Sequence, residues 1–126
     1  MENVNKKILV VDDSAWIRNM LKNYLGSWGH EVREAADGVE ALEKLGEEDF
    51  DLLICDVVMP NKNGWEVLSE VKKNPKTQEM PVIMLTSMSK DSDMLYGYEL
   101  GATYYMTKPF TKAQLQYGLQ LMFEEG

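Results

Sequence analysis

A chain of 126 residues suits a single domain of ordinary size and is long enough to bury a sizeable core. Hydrophobic residues make up 44% and charged residues 27%, a globular mix that argues against disorder and against fibrous repeats. Acids outnumber bases 21 to 13, and the resulting net charge of −8 disfavours direct binding to nucleic acid or to anionic membrane surfaces.

The first apolar run, residues 7–11 (KILVV), reads as a strand buried on both faces and ends in Asp12 and Asp13. It is too short, and too quickly followed by acids, to be a signal peptide or a membrane span. From 14 to 28, Trp16, Ile17, Met20, Leu21, Tyr24, Leu25 and Trp28 recur at helical spacing and are expected to face inward. Residues 31–35 form a short second strand. Asp37 and Glu40 then stand at capping-box spacing before a helix whose Val39, Leu42 and Leu45 are expected inward.

Residues 50–55 (FDLLIC) predict a third strand, again ending in an acid, Asp56. The loop MPNKNG leads to a helix carrying Trp65, Leu68 and Val71 on one face, which stops before Pro75. Residues 81–85 (PVIML) make a fourth strand running into Thr86 and Ser87. A helix over 91–100 is stopped by Gly101. Residues 102–107 form a fifth strand reaching Lys108 and Pro109, and Thr111 caps a last helix with Leu115, Leu119 and Met122 inward. Five strand–helix repeats with right-handed crossovers predict a flavodoxin-like (βα)5 doubly wound α/β sandwich. Its five-stranded parallel sheet is expected in the order 2-1-3-4-5.

Ligands in such sheets bind beyond the carboxyl ends of the strands, where the winding reverses, and here that point holds Asp12, Asp13 and Asp56. Converging carboxylates repel one another and need a cation. With no cluster of His or Cys available, since His30 and Cys55 are each unique, oxygen ligation points to Mg²⁺, with Mn²⁺ a possible substitute. The fourth strand's end adds the Thr86 hydroxyl and the fifth the Lys108 ammonium. Metal, hydroxyl and ammonium around one carboxylate can stabilise phosphoryl oxygens while that carboxylate acts as nucleophile. Taken singly, each residue has a plainer role as helix cap or solvated charge. Five of them at strand ends together make a site. Cys55 points away from Asp56 and reads as a small core hydrophobe, His30 reads as a surface residue, and the methionines read as packing.

The segments ILVVDDS (8–14), ADGVEAL (36–42), DLLICDVVMPNKNG (51–64), PVIMLTS (81–87) and GATYYMTKPF (101–110) resemble those of receiver domains of bacterial two-component response regulators, especially the single-domain chemotaxis type. The resemblance implies a receiver domain over residues 4–125 with no separate output domain. It implies that Asp56 accepts phosphate from the phosphohistidine of a sensor histidine kinase or a histidine phosphotransfer protein. Asp13 would bind Mg²⁺ directly, Asp12 mainly through water and Val58 through its backbone carbonyl. Thr86 and Lys108 would each bond a phosphoryl oxygen, with Thr86 and Tyr105 forming the switch. The small Ser87 would keep the pocket open, and the Lys108–Pro109 peptide is expected cis.

Five of the six tyrosines lie in the last third of the chain. They either cover the surface or form a partner-binding face. In the resembled family the fourth helix, fifth strand and fifth helix make such a face, which serves a downstream protein target or a phosphorylation-dependent dimer of an otherwise monomeric domain. The expected protein is therefore a cytoplasmic phospho-switch or phosphorelay component rather than an enzyme. The alternative is a Mg²⁺-dependent phosphatase with an Asp nucleophile, but that chemistry needs a second acid two residues after the nucleophile, where this chain has Val58. A flavin carrier on the same fold is disfavoured because Asp12 and Asp13 would repel its phosphate.

Overall fold

The computed structural model describes residues 5–123, so the expected domain limits at 4 and 125 lie outside the described residues. Five parallel strands, β1 (Lys7–Val11), β2 (Glu31–Ala35), β3 (Leu52–Cys55), β4 (Val82–Thr86) and β5 (Tyr104–Thr107), lie in the order β2-β1-β3-β4-β5. Five helices alternate with them: α1 (Ala15–Ser27), α2 (Gly38–Glu47), α3 (Gly64–Lys73), α4 (Asp91–Leu100) and α5 (Lys112–Phe123). This is the expected flavodoxin-like topology.

Alternate side chains of each strand supply two separate cores. Leu9, Leu53, Val82 and Met84 pack with α2, α3 and α4, whereas Ile8, Ile54, Ile83 and Leu85 pack with α1 and α5. Each aliphatic side chain fully buried in this way contributes roughly 1.5–3 kcal/mol against exposure to water. Cys55 belongs to the first core. Burial, with the charges of Asp56 and Asp12 adding to it, pushes its thiol pKa well up, which keeps it the inert hydrophobe expected.

The helix faces differ from expectation in two places. Trp16 is 71% exposed and Val39 is 44% exposed. On α1 the line facing the sheet is Leu21 and Leu25, with Ile17, Tyr24 and Trp28 packed beside it, and Trp16 sits about 100° around from Ile17. On α2, Gly38, Ala41 and Leu45 face inward, which turns Val39 toward solvent. Strand limits also shift. Phe50 precedes the β3 ladder and packs against the core edge, while Thr103 precedes β5 and bonds Val82 through both backbone and side chain. Gly101 ends α4 in the left-handed region (φ 113°), as its position suggested.

His30 is not the surface residue expected. It is half-buried, and its Nδ1 accepts the Lys6 backbone N–H at 3.1 Å. Burial, with the Lys6 charge, lowers its pKa below the ordinary histidine value. The folded state therefore binds this proton less readily than the unfolded chain. The stabilising contribution is full above about pH 6.5 and is lost as pH falls through the lower, folded value. His30→Asn keeps an acceptor near Nδ1 but does not titrate. Urea melts at about pH 7.5 and about pH 5.5 should show a larger loss of stability for the wild type than for the variant. Equal losses would contradict the assignment.

Candidate functional site

The site is assembled by strand register. Val11 of β1 pairs with Ala35 on one side and Cys55 on the other, so the ends of β1 and β3 are level. The residues that follow, Asp12 and Asp56, therefore stand beside each other, tied by a bond from the Asp56 N–H to the Val11 carbonyl at 2.9 Å. Thr86 pairs with Thr107, and the Lys108 N–H donates to the Thr86 carbonyl at 2.9 Å, which carries the lysine to the same edge. The Lys108–Pro109 peptide is cis.

One carboxylate oxygen from each of Asp12, Asp13 and Asp56 lies within 4.8 Å of the others. Asp12 and Asp56 are buried and Asp13 is exposed. The Lys108 ammonium donates to Asp12 Oδ2 at 2.7 Å and to Asp56 Oδ2 at 3.0 Å. Asp56 Oδ1 accepts the N–H of Val57 at 2.6 Å, and Asp12 Oδ1 accepts that of Ser14 at 2.9 Å. Ser14 also caps α1 through Ile17. Arg18, on the next turn, donates to the Asp12 carbonyl at 2.7 Å and to Glu34 at 2.9 Å, bracing the β1 end from below.

Burial raises the Asp12 pKa above its ordinary value, assisted by the Asp56 charge and opposed by the bonds from Lys108 and Ser14. Burial works against the Lys108 charge, but its hydrogen bonds to Asp12 and Asp56 outweigh it and raise the lysine pKa. Three carboxylates against one ammonium leave two formal negative charges, a complement for one divalent cation. Oxygen donors, partial exposure at Asp13 and the absence of nitrogen or sulfur ligands suit Mg²⁺.

Thr86 is fully buried at the end of β4, and its hydroxyl accepts the Met88 N–H at 3.4 Å. Tyr105 lies inward, 5% exposed, and donates its hydroxyl to the Met88 carbonyl at 2.7 Å. Its ring stacks on Trp65 with centroids 6.4 Å apart, and its N–H donates to the Tyr98 hydroxyl at 3.1 Å. Burial, then the charges of Asp93 and Asp56, pushes the Tyr105 phenol up to about 12, so it remains a donor. Tyr96, Tyr98 and Tyr117 are exposed, so the tyrosines divide between packing and surface. Val58 sits two residues past Asp56 and is 63% exposed, and Ser87 is exposed beside Thr86.

Sequence reasoning missed the supports of the site. Asn63 and Glu66 form a full capping box at the start of α3, which their spacing could have shown. The box at α2 is only half formed, because Glu40 reaches back to the N–H of Ala36 instead of Asp37. Gly64 had no signal at all: a Cβ there would lie 2.0 Å from the Asp56 carbonyl oxygen.

Residues 8–120 match the response regulator receiver domain family. The chain is 43% identical over 116 residues to the probable transcriptional regulator ycf27 of Cyanophora paradoxa, covering 92% of this chain and 47% of that protein. It thus spans about half the length of the curated relatives it matches. Among solved structures, chemotaxis protein CheY4 of Vibrio cholerae superposes with a TM-score of 0.90 at 38% identity, over 95% of this chain and all of that one. The receiver domain of sensor histidine kinase PA1611 from Pseudomonas aeruginosa, with a magnesium ion coordinated in its active-site cleft, gives a TM-score of 0.88 at 26% identity, over 97% and 100% of the two chains.

Proposed function

The chain belongs to the response regulator receiver domain family and to phosphorylation-based two-component signalling, and from that premise we propose that Asp56 is its phospho-acceptor. The observation that carries this reading is the Lys108 ammonium bridging Asp12 and Asp56 inside a three-carboxylate cluster. An Asp56 oxygen attacks the phosphorus of a phosphohistidine, the P–N bond breaks, and the imidazole leaves with the electron pair. Lys108 neutralises charge on the transferred group, and the Thr86 hydroxyl lies at the next strand end to bond another phosphoryl oxygen. Asp12, Asp13, Asp56 and the Val58 carbonyl would hold Mg²⁺, which supplies neutralisation of the phosphoryl oxygens when bound.

The phosphatase alternative is not favoured, since Val58 cannot act as an acid–base group. Input comes from a sensor histidine kinase or a histidine phosphotransfer protein. Output passes through the face of α4, β5 and α5, where Tyr105 couples to Thr86 by way of Met88, to a protein target or a phosphorylation-dependent dimer. We place this exchange in the cytoplasm; no helix among the described residues is long and apolar enough to cross a membrane. Direct nucleic-acid contact by this domain is not part of the reading, given its charge of −8. The test is transfer of labelled phosphate from a phosphohistidine donor with and without a Mg²⁺ chelator. Labelling that survives chelation unchanged would overturn the metal assignment.

The lifetime of the phosphoryl group is a further expectation. An attacking water needs a polar side chain to orient it, and neither Val58 nor Met88 offers one. Met88 packs partly against the core, so Val58, exposed beside the acceptor, carries more of the effect. Autodephosphorylation should be slow, and Val58→Asn with Met88→Glu should speed decay several-fold after donor removal. Wild-type decay in the double variant would show that these side chains do not govern water access.

A further inference from the structure

Loop 57–63 joins β3 to α3 and carries Val58, so its shape sets where that carbonyl stands. One end is held by the Gly64 N–H, which donates to the Val57 carbonyl at 2.8 Å, and by the buried side chain of Met59. The other end rests on α2, an element that contributes no residue to the acid cluster. There the Gly38 N–H donates to the Lys62 carbonyl at 3.1 Å, and a Cβ on Gly38 would lie 2.2 Å from that oxygen. Asp37 uses one carboxylate oxygen to cap Glu40 at 2.9 Å and the other to accept from Asn61 Nδ2 at 2.7 Å. Asn61 itself lies in the left-handed region, at φ 69°, a conformation that asparagine tolerates better than most residues.

The side-chain bond between Asp37 and Asn61 is exposed, so it does not serve to satisfy a buried group. It closes a clamp across two elements at the turn that leads away from Asp56. We propose that Asp37 and Asn61 are positioning residues for Mg²⁺, holding loop 57–63 on the start of α2 so that the Val58 carbonyl is presented beside Asp56. This rests on the reading that Asp12, Asp13, Asp56 and Val58 hold the metal. Without the clamp the loop samples other shapes, and the fraction competent to bind falls, which weakens apparent affinity by that fraction.

The test is calorimetric titration of the metal-free full chain with MgCl₂, alongside its thermal melt. Asp37→Ser keeps an acceptor for Glu40 but is too short to reach Asn61. Asn61→Gly keeps the backbone conformation and leaves net charge unchanged, so its effect cannot be long-range attraction. Each variant should weaken Mg²⁺ binding several-fold, up to the roughly tenfold at the low end for lost ligand supports. The two together should weaken it no more than one alone, since they remove the same bond. Asp37→Asn with Asn61→Asp exchanges donor and acceptor at constant charge, and should restore most of the affinity. Variants that melt lower yet bind Mg²⁺ like the wild type would overturn the inference and leave the metal reading standing. Asp13→Ala is the control for that reading. If it titrates like the wild type, the metal assignment fails and takes the inference with it.

Discussion

Asp56→Asn is expected to remove covalent labelling by acetyl phosphate altogether while the domain stays folded. The acceptor must supply an electron pair to phosphorus, and a neutral amide is a poor nucleophile where a carboxylate is an adequate one. The amide oxygen can still accept from Val57, but its NH₂ then faces the Lys108 ammonium, which keeps only its bond to Asp12. One carboxylate fewer relieves repulsion within the cluster, which offsets the lost Lys108 bond and leaves the variant folded. Intact mass before and after incubation with acetyl phosphate and Mg²⁺ reads the result directly. A variant labelled as fully as the wild type would move the acceptor to another residue.

Gly64→Ala is expected to cost more stability than any other single methyl addition near the site. The added Cβ would stand 2.0 Å from the Asp56 carbonyl oxygen and 2.8 Å from both the Asp56 carbonyl carbon and the Val57 Cα. All three are backbone atoms, so no side chain can rotate away. Either α3 retreats and loses the bond from the Gly64 N–H to the Val57 carbonyl, or β3 is pushed off the sheet. Overpacking against rigid neighbours puts the loss at about 3 kcal/mol, the upper part of the usual range. For a domain of this size that lowers the melting temperature by roughly 10 °C. Urea denaturation of the variant provides the measurement. A change below about 0.5 kcal/mol, the size of an ordinary surface substitution, would show that α3 yields freely there.

The grouping of the candidate site residues was legible in the sequence because a parallel sheet delivers its strand ends to one edge. Asp12, Asp13, Asp56, Thr86 and Lys108 each stand at or within two residues past the carboxyl end of a strand, so recognising the strands placed the residues. Right-handed crossovers and the size of the chain pointed to the strand order, and the order then placed the reversal point between β1 and β3. What stayed hidden depends on how close two distant segments come. The contact of Gly64 with Asp56, the bond between Asp37 and Asn61 and the acceptor role of His30 arise from spacings between elements, on which residue pattern is silent. Trp16 and Val39 failed for a related reason: a stripe wider than the buried line always offers more apolar positions than the sheet can cover.

The strand order also sets the order in which the chain supplies the parts of the sheet. β2 and β3 flank β1, so the first 55 residues already contain three neighbouring strands, and β4 then β5 extend one open edge. Synthesis proceeds from the amino terminus, so these three strands are made before β4 and β5. Asp12, Asp13 and Asp56 can therefore meet before Lys108 exists, and the ammonium that finally sits 2.7 and 3.0 Å from two of them is the last part to arrive. An assembly of β1, β2 and β3 formed before β5 docks would gather these carboxylates at the carboxyl ends of β1 and β3 without their ammonium partner. In any such state cations from the surrounding solution would take the place of the lysine.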